Sequence, residues 1–280
     1  MLKGSSGKIT KAVCRRTTGA LFSPQSRKTL KNAVTNCLIR SPVGDRSTSH
    51  GRIGDWNVSA VTSMHKLFSF AHAFNADISR WDVSAVTNMN RMFSFAKVFN
   101  ADISKWDVSA VTNMNRMFSS AEVFNADISK WDVSAVTDVS GMFDKADSFN
   151  ADVSKWDVSA VIDMADIFSD TNAFNADISK WDVSAVMDMS AMFSDAKVFN
   201  ADISKWDVSA VNDTSWMFYQ AGSFNADISK WAVWSVTNMR WMFVKSSSFD
   251  QVLYMDLLGL RLAYDIRTRG VAMHTSLHAH

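Results

Sequence analysis

Cysteine, proline and long apolar runs are all scarce in this 280-residue chain. Its two cysteines, Cys14 and Cys37, both lie ahead of the regular part of the sequence, so no disulfide staples the bulk of the chain. Two prolines and 47% hydrophobic residues leave enough apolar material for a large core, which excludes wholesale disorder. No apolar run reaches the roughly 18 residues of a membrane span. The first 20 residues hold no apolar stretch of the length, about 7 to 15 residues, that a secretory signal needs. A Gly-rich phosphate loop and metal-spaced Cys and His are also missing, and no pair of carboxylates stands apart as an acid and base would. These absences point away from an enzyme and away from a cofactor or metal.

What is present is a repeat. Trp56, Trp81, Trp106, Trp131, Trp156, Trp181, Trp206 and Trp231 recur every 25 residues, inside close copies of FNADISKWDVSAVTNM. A fixed period of this size is the signature of an array whose units bury their apolar faces only against one another. The chain therefore divides into a basic leader at 1–21, disordered or serving as a targeting segment, and a capping helix with its loop at 22–52. Eight repeats at 53–250 and a C-terminal cap or irregular tail at 251–280 complete it. A ninth unit would need Ile near 253 and Trp at 256, where the chain has Leu253 and Asp256.

Charge separates along the same boundary. Eleven Lys and Arg against one acid, Asp45, precede Ile53, and the remainder carries 18 basic and 27 acidic residues. An acidic array disfavours nucleic acid as a partner. In the leading segment, Ser23 as N-cap, Pro24 at the first helical position and an apolar stripe of Leu30, Ala33, Val34, Cys37 and Leu38 predict an amphipathic helix over the first repeat.

Within one unit, residues 74–98, Trp81 and Val83 alternate with Arg80, Asp82 and Ser84, the pattern of a short half-buried strand. Val86, Met89, Met92, Phe93 and Ala96 follow at helical spacing, predicting a helix of two to three turns. The expected architecture is an α/β solenoid: a parallel sheet of short strands about 4.8 Å apart, concave because helices are wider than strands. Two Phe columns, Phe68 to Phe243 and Phe74 to Phe249, read as core. The Asn75 column reads as buried amides that satisfy loop backbone, and the Asp77 column as Asx turns.

Together these residues spell a family. Ile78, Trp81, Val83 and Val86 fit LxxLxLxx, and VTNMNRMFSSA resembles the helical half of BspA-like leucine-rich repeats. The full unit resembles the 25-residue repeat of the mycoplasma lipoprotein-associated repeat family, over roughly residues 22–250. That resemblance implies a leucine-rich-repeat-like solenoid displayed at the cell surface for adhesion or protein binding, with no catalytic residues to carry over.

Candidate partner-binding residues are those at which the copies differ. Asp138, Asp163, Asp188 and Asp213 replace Asn88 and Asn113, at positions expected to cap helices; a basic partner or a cation is the alternative. Trp216, Trp234 and Trp241 fall outside the Trp column, and Trp216 and Trp241 occupy an expected helix position that holds Arg91 and Arg116 in earlier copies. Either the C-terminal segment folds over these tryptophans or they anchor a protein partner. His274, His278 and His280 read as tail rather than as a metal site.

Overall fold

Helix α1, Arg27–Arg40, opens the described chain, and its N-cap is Ser26, whose hydroxyl accepts from the Thr29 amide at 3.2 Å. Ser23 does not cap because Gln25 Nε2 donates to its hydroxyl and carbonyl, both at 3.1 Å, so the helix begins three residues later than Pro24 suggests. The computed structural model describes residues 21–45, 48–250, 253–257 and 260–264. The basic leader, the tail histidines and Cys14 lie outside the described residues.

Leu30, Ala33, Val34 and Cys37 of α1 are buried on the first coil of the array, and Cys37 is a free thiol. The opposite charge pattern also has work to do at this end. Arg27 Nε donates to the His65 carbonyl at 2.8 Å, and Lys31 Nζ to the carbonyls of Lys66 and Leu67 at 3.0 and 2.8 Å. Gly44 turns the chain from α1 into the array at φ +84°, and a Cβ there would stand 2.8 Å from the Phe74 ring. A single 3-10 turn, Ile53–Asp55, leads into the first tryptophan.

The repeats then stack as coils of 25 residues. Trp81 and Val83 are buried while Arg80, Asp82 and Ser84 are exposed, so the alternation of burial holds. The strand does not form. Asp82 Oδ1 accepts from both the amide and the hydroxyl of Ser84, at 3.1 and 2.7 Å, and Val86 N donates back to the Val83 carbonyl at 2.8 Å. Local side-chain and turn bonds have taken the groups a ladder would use. Parallel pairing between coils is reduced to one residue per coil, running from Ser63 through Asn88, Asn113, Asp138, Asp163, Asp188 and Asp213 to Asn238. Among the described residues, the only strands are β1 (Leu253–Leu257) and β2 (Leu260–Tyr264), an antiparallel hairpin beyond the coils.

The expected helix is also absent, for a reason visible in the backbone. Arg91 and Phe95 have φ of 53° and 61°, and the same two columns are left-handed in all eight coils from Lys66 to Lys245. Two left-handed residues four apart cannot belong to a right-handed helix. They instead produce an alternation. Met89, Arg91, Phe93 and Phe95 donate their amides to the next coil, at carbonyls of Asn113, Asn115, Met117 and Ser119, over 2.7–2.9 Å. Met92, Ser94 and Ala96 donate within the coil, to carbonyls of Met89, Arg91 and Phe93, over 2.9–3.2 Å. Without a helix or a ladder, the expected concave α/β sheet has no counterpart in the repeats.

Stacked side chains fill the coils. Phe93 and Phe99 lie face to face at 3.9 Å within one coil, and Phe93 meets Phe118 of the next at 5.6 Å. Each of these rings is fully buried and stabilises by about 2 to 3 kcal/mol relative to exposure. The Trp column is pinned by polar bonds: Trp106 Nε1 donates to the Ile78 carbonyl, 28 residues earlier, at 3.2 Å, and every later member repeats the bond. Trp56, with no preceding coil, keeps a buried Nε1 without a partner. The Asn75 column is exposed rather than buried, yet Asn75 Oδ1 does accept from the Asn100 amide of the next coil, at 2.9 Å.

Left-handed backbone at a residue with a Cβ costs on the order of 1 kcal/mol or more. At Ala191, φ 52°, the cost can be isolated without disturbing a side-chain contact. Ala191→Gly is expected to stabilise the chain by about 0.5–1 kcal/mol, and Ala191→Val to destabilise it by more than about 1 kcal/mol. Urea titration followed by tryptophan fluorescence reads both changes.

Candidate interaction surface

Each coil has a constant half and a variable half. Residues 99–111, 124–136, 174–186 and 199–211 are the same thirteen residues, FNADISKWDVSAV, and the coils starting at Phe74 and Phe149 differ from them only at Arg80 and Val153. The constancy of the exposed polar residues here has a structural cause. Asp77 Oδ1 caps Ser79, Asp82 Oδ1 caps Ser84, and Asn75 Oδ1 bonds the following coil. Bonds from the serines hold the carboxyls of Asp77, Asp102, Asp107 and Asp127 below the usual carboxylate range.

The following twelve residues diverge, except where they are core. Met89, Met92, Phe93 and Ala96 are buried, and their counterparts stay small or apolar. The left-handed columns change most. One reads Lys66, Arg91, Arg116, Gly141, Asp166, Ala191, Trp216, Trp241; the other reads Phe70, Phe95, Ser120, Lys145, Asp170, Asp195, Gln220, Lys245. These side chains alter from basic and aromatic, through acidic, to aromatic along the stack.

Two of the three stray tryptophans come together. The rings of Trp216 and Trp241 are 4.4 Å apart, Tyr219 stands 4.7 Å from Trp216, and the two indoles are 37% and 39% exposed. They sit at left-handed turns rather than on a helix. Trp234, 69% exposed, is in ring contact with neither. It occupies the constant half, in the place of Ser84, and Ala232 stands where Asp82 would cap it, so the last coil lacks that side-chain bond but keeps the backbone turn, with Val236 N donating to the Val233 carbonyl at 3.1 Å.

Asp138, Asp163, Asp188 and Asp213 do line up on successive coils, but as the inter-coil bridge column and not as helix caps. The carboxylates of all four accept the amide two residues on, those of Ser140, Ala165, Ser190 and Ser215, over 2.7–3.0 Å. The outer members also receive amides from Asn113 and Asn238 at 2.9 and 2.7 Å. Burial pushes the Asp163 carboxyl up, aided by Asp138 and Asp188 on either side. Among the described residues, no three His, Cys, Asp or Glu converge to hold a metal ion.

Asp166, Asp170 and Asp195 owe their place to something sequence reasoning did not supply: they occupy left-handed positions, which Asp tolerates better than most residues. Burial raises the carboxyls of Asp144, Asp166 and Asp170, and neighbouring carboxylates add to the shift at the last two. Arg116 lies 3.8 Å from Asp166 and Lys145 3.9 Å from Asp170, both exposed enough to contribute little. A second missed feature is the pair Phe70 and Phe95, stacked at 4.7 Å with Phe70 63% exposed. Its signal in the sequence was an aromatic in a column otherwise filled by Ser, Lys, Asp and Gln. Phe70 borders a groove of about 480 Å³ between α1 and the first coil, with Ile39 and Leu38 opposite.

These features define a repeat protein of stacked 25-residue coils with one constant and one diversified half. The model of the family described as "Mycoplasma protein of unknown function, DUF285" matches residues 39–156 and 139–255, and the chain belongs to that family. None of the curated proteins matches it. No helix among the described residues is long and apolar enough to cross a membrane.

The raised carboxyls have a definite pH signature. A native carboxyl titrating above its unfolded value of about 3.8 destabilises the fold when ionised. That penalty is complete above the raised native value and vanishes as pH falls below the unfolded one. Asp166→Asn, which keeps a side chain suited to left-handed backbone, is expected to raise Tm at pH 7, with the difference from wild type closing as pH falls below about 4. Thermal unfolding across this range checks it.

Proposed function

We propose that the chain is a non-enzymatic solenoid that binds a protein partner, in intermolecular recognition or cell-surface adhesion, through the diversified halves of its coils. One observation carries the reading. Copies held identical over thirteen residues change at exposed positions of the other half, where packing makes no demand for change. Trp216 and Trp241 would be aromatic anchors, and the bridge column Asp138 to Asp213, with Asp166 and Asp170, the charged part of the same surface. The four carboxylates of the bridge column, on successive coils, each bond their own backbone, which favours recognition over catalysis. Kinship with leucine-rich-repeat solenoids belongs to this proposal too, supported by the coil-per-repeat stacking and the single parallel bridge per coil.

The full chain immobilised on beads tests it in three forms: wild type, Trp216→Ser with Trp241→Ser, and Lys155→Ser with Lys180→Ser in the constant half. The expected outcome is a protein retained by wild type and by the lysine variant but lost by the tryptophan variant, with circular dichroism the same for all three. Retention of nothing specific by any form would instead mark the array as a spacer.

A further inference from the structure

Hydrogen bonding gives the stack a polarity. In coil 174–198, the amides of Met189, Ala191, Phe193 and Asp195 donate to the next coil over 2.7–2.9 Å, and in coil 199–223 those of Thr214, Trp216, Phe218 and Gln220 do the same at 2.9 Å. Along these columns one end of the stack presents carbonyls and the other amides, while other amides run the opposite way, as that of Thr237 does to the Asn212 carbonyl at 2.8 Å. At the carbonyl end α1 packs on the first coil, and Arg27 and Lys31 donate to His65 and Leu67, two of the four column acceptors, and to Lys66.

The amide end has no such cap among the described residues. Met239, Trp241, Phe243 and Lys245 are the counterparts of those donors in the last coil, and their amides meet no acceptor among the described residues. Their apolar neighbours are uncovered as well: Phe218 and Phe224 are fully buried, whereas Val236, Met239, Phe243 and Phe249 are only partly so. The chain does not add the next coil itself, since the residue 24 beyond Met239 is Ala263, which lies in β2 and pairs with Tyr254 of β1. A second copy does not fit either. Along residues 239–245 two amide ends meet donor to donor, and α1 packs over the carbonyl end of a second copy.

We propose that this amide end is a docking edge for a polypeptide segment of another protein that takes the turn conformation of a coil's variable half. The segment lays main-chain carbonyls at two-residue spacing along the amides of residues 239–245 and seats apolar side chains on Val236, Met239, Phe243 and Phe249. Its chemistry is displayed at each internal junction of the array, where Asn113, Asn115, Met117 and Ser119 supply the carbonyls and Met114, Met117 and Phe118 the apolar contacts. Main-chain pairing at an open edge supplies affinity, and the apolar spacing supplies selectivity. The edge uses the main-chain amides of Trp241 and Lys245, whose side chains belong to the diversified surface, and amide exchange reads it apart from protein retention by those side chains.

The test uses the full chain and a synthetic peptide of residues 110–124, AVTNMNRMFSSAEVF, with amide exchange followed by NMR. At about 1 mM peptide, exchange at Met239, Trp241, Phe243 and Lys245 is expected to slow about tenfold or more. Met242 and Val244, already bonded to the carbonyls of Met239 and Trp241, stay unchanged. Unaltered exchange at the four amides, or equal slowing by a scrambled peptide, would overturn the proposal. So would finding them in the free chain already as slow as Trp216 and Phe218, because the acceptors would then come from the chain itself.

Discussion

Everything in this array depends on the direction in which successive amides point. Along the variable half of each coil, one amide turns into its own coil and the next reaches the coil that follows. A helix would keep all of them inside and leave the coils joined by side chains alone. A strand ladder would send them sideways to both neighbours and lose the turn that brings the core residues round. The alternation does both, and its cost is left-handed backbone at two residues per coil, only one of them glycine. The buried Phe pairs and, after the first coil, the Trp bonds to preceding carbonyls offset that cost.

Because each coil completes its neighbour, the ends are where the physics becomes visible. At the first coil the completing groups are side chains of a helix, Arg27 and Lys31, so the basic character of that segment is a matter of hydrogen bonding as well as net charge. Trp56 shows the same end effect in reverse: the column bond has nothing to reach, and its buried Nε1 is left without an acceptor. At the last coil the constant half itself decays, with Ala232 and Trp234 replacing an Asp and Ser that elsewhere hold a turn.

The burial of the array was legible in the sequence except at the Asn75 column, expected buried and found exposed: the Phe and Trp columns, the alternation around Trp81 and the Asx turn at Asp77 all follow from periodicity and side-chain chemistry. The conformation of the variable half was not. Val86, Met89, Phe93 and Ala96 recur at three to four residues, and a chain of consecutive turns with bonds from residue i to i−3 has that spacing just as a helix does. The usual sign of left-handed backbone, glycine, appears once in sixteen such positions, at Gly141. Arg91, Phe95 and Trp216 give no warning of the conformation they adopt. The candidate surface suffered accordingly: Asp138 to Asp213 and Trp216 with Trp241 were found by their divergence, but assigned to a helix edge that does not exist. Trp234 was grouped with two residues it does not touch.

A constant half built from local turns and a diversified half built from alternating bonds make an array whose outward side chains can change without changing its coils. That separation rests on the backbone alternation being real in solution. Through-hydrogen-bond NMR couplings measure it most directly. The account predicts couplings from the amide nitrogens of Arg91 and Phe95 to the carbonyl carbons of Asn115 and Ser119 of the next coil, 24 residues away. Couplings from those amides to residues 87 and 91 of the same coil, the pattern of a helix, would contradict it.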